Sequence, residues 1–378
     1  MKTTTREHIG WIDLLRIFAC FLVVIAHSAD PFVAKTDSNY SEFFTGAFIG
    51  SLMRSCVPLF VMISGVLLLP IKTDIATFYK RRSKRILWPF VFWSLALPLL
   101  YYFYLNFGPE SLNPNIFMED HTWGATANKL YTFLFNFNYD TIPLWYVYML
   151  IGLYLFIPIL SGWINQASKK DIQIILVIWL ISTFAQYLEL LAPFLGYQGA
   201  LGNFGLWGIC DWNAFGSLYY FSGFMGYLIL GYYLVKYPFN FSKAKCYGIS
   251  VPVFILGFII TFVGFIFTQK YYPENFSNLE IIWSFNNINV VMMTIPVFLI
   301  AQQFKGKVGA KMHLISTLTY GIFLAHFFFV QVAYDLVYPY LNLPTAVQII
   351  LIAILASGMS LLVVWLLSLN KFTKKFVL

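Results

Sequence analysis

The sequence predicts an all-α polytopic membrane protein with about ten transmembrane helices, both termini cytoplasmic, and a single domain over residues 1–378. Three observations predict it. The chain is 60% hydrophobic and only 11% charged, whereas soluble domains carry roughly 25% charged residues. Its apolar residues gather into ten runs of spanning length, for which about 17–25 residues suffice. Its basic residues gather in alternate connections, nineteen of 24 Lys and Arg on one side, and the positive-inside rule assigns that side to the cytoplasm. The net charge of +8 comes from these clusters, so it does not point to nucleic acid. Cys20, Cys56, Cys210 and Cys246 lack metal-ligand spacing, and neither a metal site nor a disulfide framework is expected.

The runs cover residues 9–29, 44–70, 86–106, 142–161, 172–193, 216–236, 247–268, 282–303, 318–338 and 345–369. The first is read as a retained anchor, because Asp13 and Arg16 interrupt what would be the core of a cleaved leader. The second contains Arg54 and Pro58, so a kink is expected there. Residues 133–137, ahead of the fourth run, suit an interfacial or re-entrant piece. The inner connections carry Lys2 and Arg6; Lys72 and the run Lys80 to Arg85; Lys169 and Lys170; Lys236, Lys243 and Lys245; Lys305, Lys307 and Lys311; and Lys371, Lys374 and Lys375. The outer ones hold Lys35, Lys129 and Lys270 among acids that include Asp30, Glu42, Asp211, Glu274 and Glu280. The outer stretches 107–141 and 194–215 are rich in aromatics, Gly and Asn. Such residues stack on sugar rings, and they also form ordinary interface belts.

Residues 11–30, WIDLLRIFACFLVVIAHSAD, pose the functional question. A charged group at mid-bilayer costs about 2.5–3.5 kcal/mol on insertion scales, so Asp13, Arg16 and His27 are expected to face protein and to work there. Arg16 and His27 are eleven residues apart, which returns them to within about 20° of one helix face, roughly 16 Å apart along the axis. Asp13 is spaced to pair with Arg16. Elsewhere, the stretch FYKRRSKRILWP sets topology or seats a phosphorylated cytoplasmic ligand, and both readings stand at this point. Arg54 suits a helix-to-helix ion pair or a functional role, and Ser64 with Gly65 suits close helix packing. His326 lies mid-span, where it either satisfies a backbone carbonyl or acts as an acid or base, and Asp335 is read as interfacial.

These residues resemble the acyltransferase type 3 family of integral membrane O-acyltransferases. The first run carries an Arg, ten residues and a His, here Arg16 and His27, with Asp13 three before the Arg. Val57-Pro58-Leu59-Phe60 leading to Ile63-Ser64-Gly65 resembles the family's second span. Arg82, Arg85, Ile86 and Pro89 resemble its basic motif, Leu144-Trp145-Tyr146 its Leu-Trp-aromatic step, and Leu318-Thr319-Tyr320-Gly321-Ile322-Phe323 with His326 its late span. Within the family the chain is similar to the group containing the enterobacterial common antigen O-acetyltransferase. It departs at Ile142 and Pro143, where many members carry a His.

The resemblance implies transfer of an acyl group, usually acetyl, from cytoplasmic acetyl-CoA or another acyl-CoA to a carbohydrate hydroxyl of a surface polysaccharide or lipid-linked glycan. It implies residence in the inner (plasma) membrane, with the lipid bilayer as partner and no metal. A homo-oligomer is compatible with it. Carried onto this chain, it implies His27 as base or acyl carrier, Arg16 and Asp13 as its supporting pair and His326 as partner acid or base. Arg82 and Arg85, with Arg54 and Ser64, would serve donor binding. The competing reading is an exporter or transporter without acyl-transfer chemistry. No internal repeat or pair of broken spans in two halves supports that reading.

Overall fold

The computed structural model describes residues 10–135, 138–196, 208, 215–271 and 281–378. Expectations resting on Lys2, Arg6, Phe137, Cys210, Asp211, Glu274 and Glu280 lie outside the described residues. Among the described residues there is no strand, and ten helical stretches are long and apolar enough to cross a bilayer. The all-α, ten-span class is therefore the observed one.

The first helix, α1 (Gly10–Val33), continues through Pro31, so Asp30 belongs to the helix and not to the connection after it. The second span is a pair, α2 (Tyr40–Leu52) and α3 (Cys56–Leu68). Its break falls at residues 53–55, around Arg54. Pro58 sits in the first turn of α3, where a missing N–H interrupts no helical bond. Backbone groups in the break stay paired, with Met53 N–H donating to the Ile49 carbonyl at 3.3 Å and Cys56 N–H to that of Met53 at 3.0 Å. Such pairing is what an apolar surrounding demands.

The third span, α4 (Ile75–Phe107), overturns one expectation. The basic stretch read as a connection is the helix's first turns. Asp74 caps them, accepting the Thr77 N–H at 2.9 Å. Hydrogen bonds from the Thr77 side chain and backbone hold the Asp74 carboxyl below the usual carboxylate range. Phe78 and Ile86 bury on the inner side of this charged segment. Arg82 and Arg85, three residues apart, consequently share a face.

The chain continues through short α5 (Trp123–Tyr131), a turn at residues 133–135, α6 (Trp145–Gln166), α7 (Lys169–Ser182), α8 (Ala185–Leu191), α9 (Phe224–Lys236), α10 (Lys243–Tyr271), α11 (Ile288–Ala301), α12 (Ala310–Val337) and α13 (Thr345–Leu369). Over its described part, the stretch expected to be an interfacial or re-entrant piece is this turn.

The bundle has a centre and a rim. The spanning window of α12 is 72% buried, against 22% for α10. At the centre α1 lies beside α12, with α2, α3, α11 and α13 also packed on α1. Arg16 meets Ser316, Cys20 meets Thr319, His27 meets His326 and Phe32 meets Tyr334. The numbering rises together, so α1 and α12 run parallel and carry their polar residues at matched depths. Close approach of α3 and α9 depends on two glycines. A Cβ on Gly65 would run into the Leu228 carbonyl, and one on Gly231 into that of Met62. Small residues commonly let membrane helices approach this closely.

Candidate active site

The starts of α1, α4 and α12 lie with the end of α3 and the first half of α6 around one cavity. This is the end of the bundle where the basic clusters lie. Four of the predicted site residues line the cavity together: Arg16, Ser64, Arg82 and Arg85. Tyr154, also in the lining, lies within electrostatic reach of all three guanidinium groups. Ser64 itself donates to the Phe60 carbonyl at 3.0 Å. Gly65 makes the close helix approach, while Ser64 faces the cavity. The Tyr320 hydroxyl, another lining group, is buried and has no hydrogen-bond partner among the described residues. Among the described residues no Asp or Glu lines this cavity. The chemistry of the wall suits a phosphorylated ligand, because guanidinium groups bind phosphate in forked geometry.

Asp13 stands just behind that wall. It and Arg16 do approach, but at 3.7 Å, and Ser316 mediates. Arg16 Nη1 donates to Ser316 Oγ at 3.1 Å, and Ser316 donates to Asp13 Oδ1 at 2.6 Å. His313 Nδ1 donates to the other oxygen, Oδ2, at 2.9 Å. Asp13 is 5% exposed and Ser316 1%, so the relay fixes the Arg16 head by buried hydrogen bonds, which are stronger in low dielectric. Ser316 and His313 could not be singled out from sequence, since each lies 300 residues or more from Asp13.

Higher on α1 is the second half of the site. His27 Nδ1 lies 2.7 Å from Asp30 Oδ2. A carboxylate only accepts, so Nδ1 carries the proton and neutral His27 presents a lone pair on Nε2. This is the carboxylate–imidazole arrangement that orients a general base. His326 lies beside it, the ring centroids 5.2 Å apart. His326 is fully buried. Its Nδ1 donates to the Phe323 carbonyl at 2.5 Å, and its Nε2 has no partner among the described residues. Two imidazoles, each with Nδ1 engaged, therefore share one depth of the membrane. Asp30 was missed as a site residue. Its i,i+3 spacing from His27 was the available signal, masked by reading Asp30 as part of a connection.

One layer of rings lies between cavity and histidines. Phe323 lines the cavity and also packs on His326 at 5.7 Å between centroids. Phe60 and Tyr146 complete the layer, with Tyr146 5.0 Å and Phe60 6.1 Å from Phe323. Tyr146 comes from the Leu144-Trp145-Tyr146 step.

Arg54 is not brought to this cavity. Its guanidinium stacks 3.9 Å from the Trp283 ring centroid, and Trp283 in turn donates to Ser51 Oγ at 3.0 Å. The arginine thus sits on an aromatic face at the α2–α3 break. Asp335, in the last turn of α12, is buried within the protein, accepting from Ser111, Gln331 and Tyr104 at 2.9, 2.7 and 3.1 Å. These bonds pin the 108–113 connection to α12. Just ahead of α6, buried Asp140 accepts from Lys129 at 2.7 Å and lies 2.8 Å from His121 Nε2.

A family model described as an acyltransferase domain matches residues 9–369. No curated protein and no solved structure gives a significant match to the chain.

Proposed function

The chain belongs to the acyltransferase type 3 family and is a membrane acyltransferase, and on that premise we propose that it moves an acetyl or other short acyl group from acyl-CoA to a sugar hydroxyl of a surface polysaccharide or lipid-linked glycan. The observation that carries the reading is the pairing, on one helix, of a basic cavity at Arg16 with a His27–Asp30 dyad farther along. The two levels are about 16 Å apart along α1. A donor with phosphates at one end and a thioester at the end of a long thin arm matches that separation. A compact donor such as an acyl phosphate does not.

In this reading Arg82 and Arg85 hold the donor's diphosphate, and Arg16, fixed by the Asp13–Ser316 relay, meets the arm where it enters. The thioester passes the Phe60–Tyr146–Phe323 layer to reach the histidines. His27 Nε2 takes the proton of the acceptor hydroxyl as its oxygen attacks the thioester carbonyl carbon. The C–S bond breaks, and the departing sulfur takes that proton, leaving ester and free thiol. General-base assistance of this kind is worth about 10²–10⁴-fold. An acyl-histidine relay uses the same groups in two steps. His27 Nε2 attacks the thioester carbon, and the C–S bond breaks to release thiolate. The sugar oxygen then attacks the acyl carbon, the C–N bond breaks, and the hydroxyl proton passes by way of His326 Nε2 to the thiolate. Asp30 supports either route, because it orients the ring and balances charge that develops on it. His326, with Nε2 unpartnered, is the second proton carrier.

The positive-inside bias supports a cytoplasmic donor cavity and cytoplasmic termini in the inner membrane. Arg54 is reassigned in this reading from donor binding to holding the α2–α3 break. Mass spectrometry of surface glycans from cells with and without the protein tests the acceptor class. One ester is expected to disappear on deletion. An unchanged ester pattern across envelope glycans would remove glycans as acceptor.

A further inference from the structure

We propose that a second, smaller cavity beside the donor cavity seats a separate phosphate monoester, so that the donor is recognised at two phosphate positions, a diphosphate at Arg82 and Arg85 and a remote monoester at Lys72 and Arg81. This rests on the acyl-CoA reading above and extends it to the nucleotide end of the donor.

The second cavity is lined by Lys72, Arg81 and Arg82 together with mostly apolar residues from the end of α3, the α3–α4 connection and the start of α4. It shares Leu67, Leu68 and Arg82 with the larger one. Arg82 stands on the partition. Its guanidinium is 5.8 Å from the Phe78 ring, which belongs to the small cavity, and 5.9 Å from the Tyr154 ring, which belongs to the large one. Among the described residues no Asp or Glu lines either cavity. The nearby Asp74 carboxylate is turned to the Thr77 N–H as a helix cap. Three cations converging on one hollow repel, and a bound anion relieves that repulsion.

Topology alone does not explain the arrangement. A positive-inside signal needs basic residues near the membrane surface, without regard to which face of a helix they occupy. Lys80 and Lys84 meet that need and line neither cavity, whereas Lys72 and Arg81 converge on one. Both Lys72 and Arg81 are exposed, so replacing them leaves the packing intact. A diphosphate in one hollow and a monoester in its neighbour is the charge layout of a 3′-phosphorylated nucleotide thioester.

The test is calorimetric binding of CoA and of 3′-dephospho-CoA to purified protein in phosphatidylcholine nanodiscs. The wild type is expected to bind CoA roughly tenfold more tightly than dephospho-CoA, a ratio typical of one lost charge-assisted contact. In the Lys72→Gln, Arg81→Gln double variant that ratio falls to near one, with dephospho-CoA affinity unchanged. In the Lys80→Gln, Lys84→Gln control, which removes the same charge outside the cavities, the ratio persists. Equal binding of both compounds by the wild type, or a ratio that survives in the first variant or vanishes in the control, overturns the second seat and leaves the acyl-CoA reading standing. Failure of the wild type to bind either compound overturns both. Repeating the wild-type measurement in phosphatidylglycerol nanodiscs separates the two phosphate sources. A preserved ratio supports the donor's own monoester, and a ratio abolished by anionic lipid assigns the seat to a lipid headgroup instead.

Discussion

In the proposed mechanism the chemistry at His27 depends on one hydrogen bond. Asp30 Oδ2, 2.7 Å from Nδ1, fixes the tautomer that leaves Nε2 with its lone pair free to act. Asp30→Asn is expected to lower kcat by roughly ten- to a hundredfold with donor KM unchanged, because a neutral amide no longer balances charge on the imidazole. A KM effect without a kcat effect would place Asp30 in binding. The polar residues of α1 were legible in the sequence because Arg16 and His27 are conspicuous in an apolar run. Asp30 was not, since it falls where the apolar run ends and carboxylates become unremarkable. Arg54 was equally conspicuous, yet its partner Trp283 is 229 positions away, and nothing local announces a ring face.

Among the elements, the broken second span sets the geometry of the basic cavity. Its second half, α3, supplies Ser64 to the cavity wall and, one residue on, Gly65 to the backbone contact with α9. Gly65→Val is expected to destabilise the protein by about 1–3 kcal/mol, the usual cost of overpacking, seen as a lowered Tm in detergent. Gly152→Ala on α6, where an added Cβ meets nothing, serves as the matched control and should leave Tm in place. Equal Tm values for wild type and Gly65→Val would mean that α3 and α9 are free to separate. Hydropathy located all ten spans because burial in lipid needs only length and apolarity. It failed at the start of α4, where the helix runs through charge. There the helical signal lies in the Asp74 cap and the buried Phe78 and Ile86, not in an apolar run.

Over the whole molecule, two parallel central helices carry ionisable residues at two matched depths, with a cavity at one depth and an imidazole pair at the other. That layout has a direction only if the basic end faces the cytoplasm. In a variant lacking the native cysteines, Lys307→Cys should react with an impermeant maleimide only after cells are opened, whereas Tyr340→Cys should react in intact cells. Tyr340 is 73% exposed at the opposite end. The reverse pattern would put the cavity outside, away from any cytoplasmic thioester. The α1–α12 pairing itself was beyond sequence reading. Asp13–Ser316–Arg16 and His27–His326 join residues about 300 apart, and only tertiary packing brings them to one depth.

The most direct measurement is acceptor-dependent release of thiol from acetyl-CoA by the purified protein, compared between wild type and His27→Ala at matched donor saturation. His27→Ala is expected to bind CoA as tightly as wild type, since His27 is not among the residues lining the basic cavity. It should release thiol at least about a hundredfold more slowly. A His27→Ala protein that turns over near the wild-type rate would contradict the assignment of the reaction to this dyad.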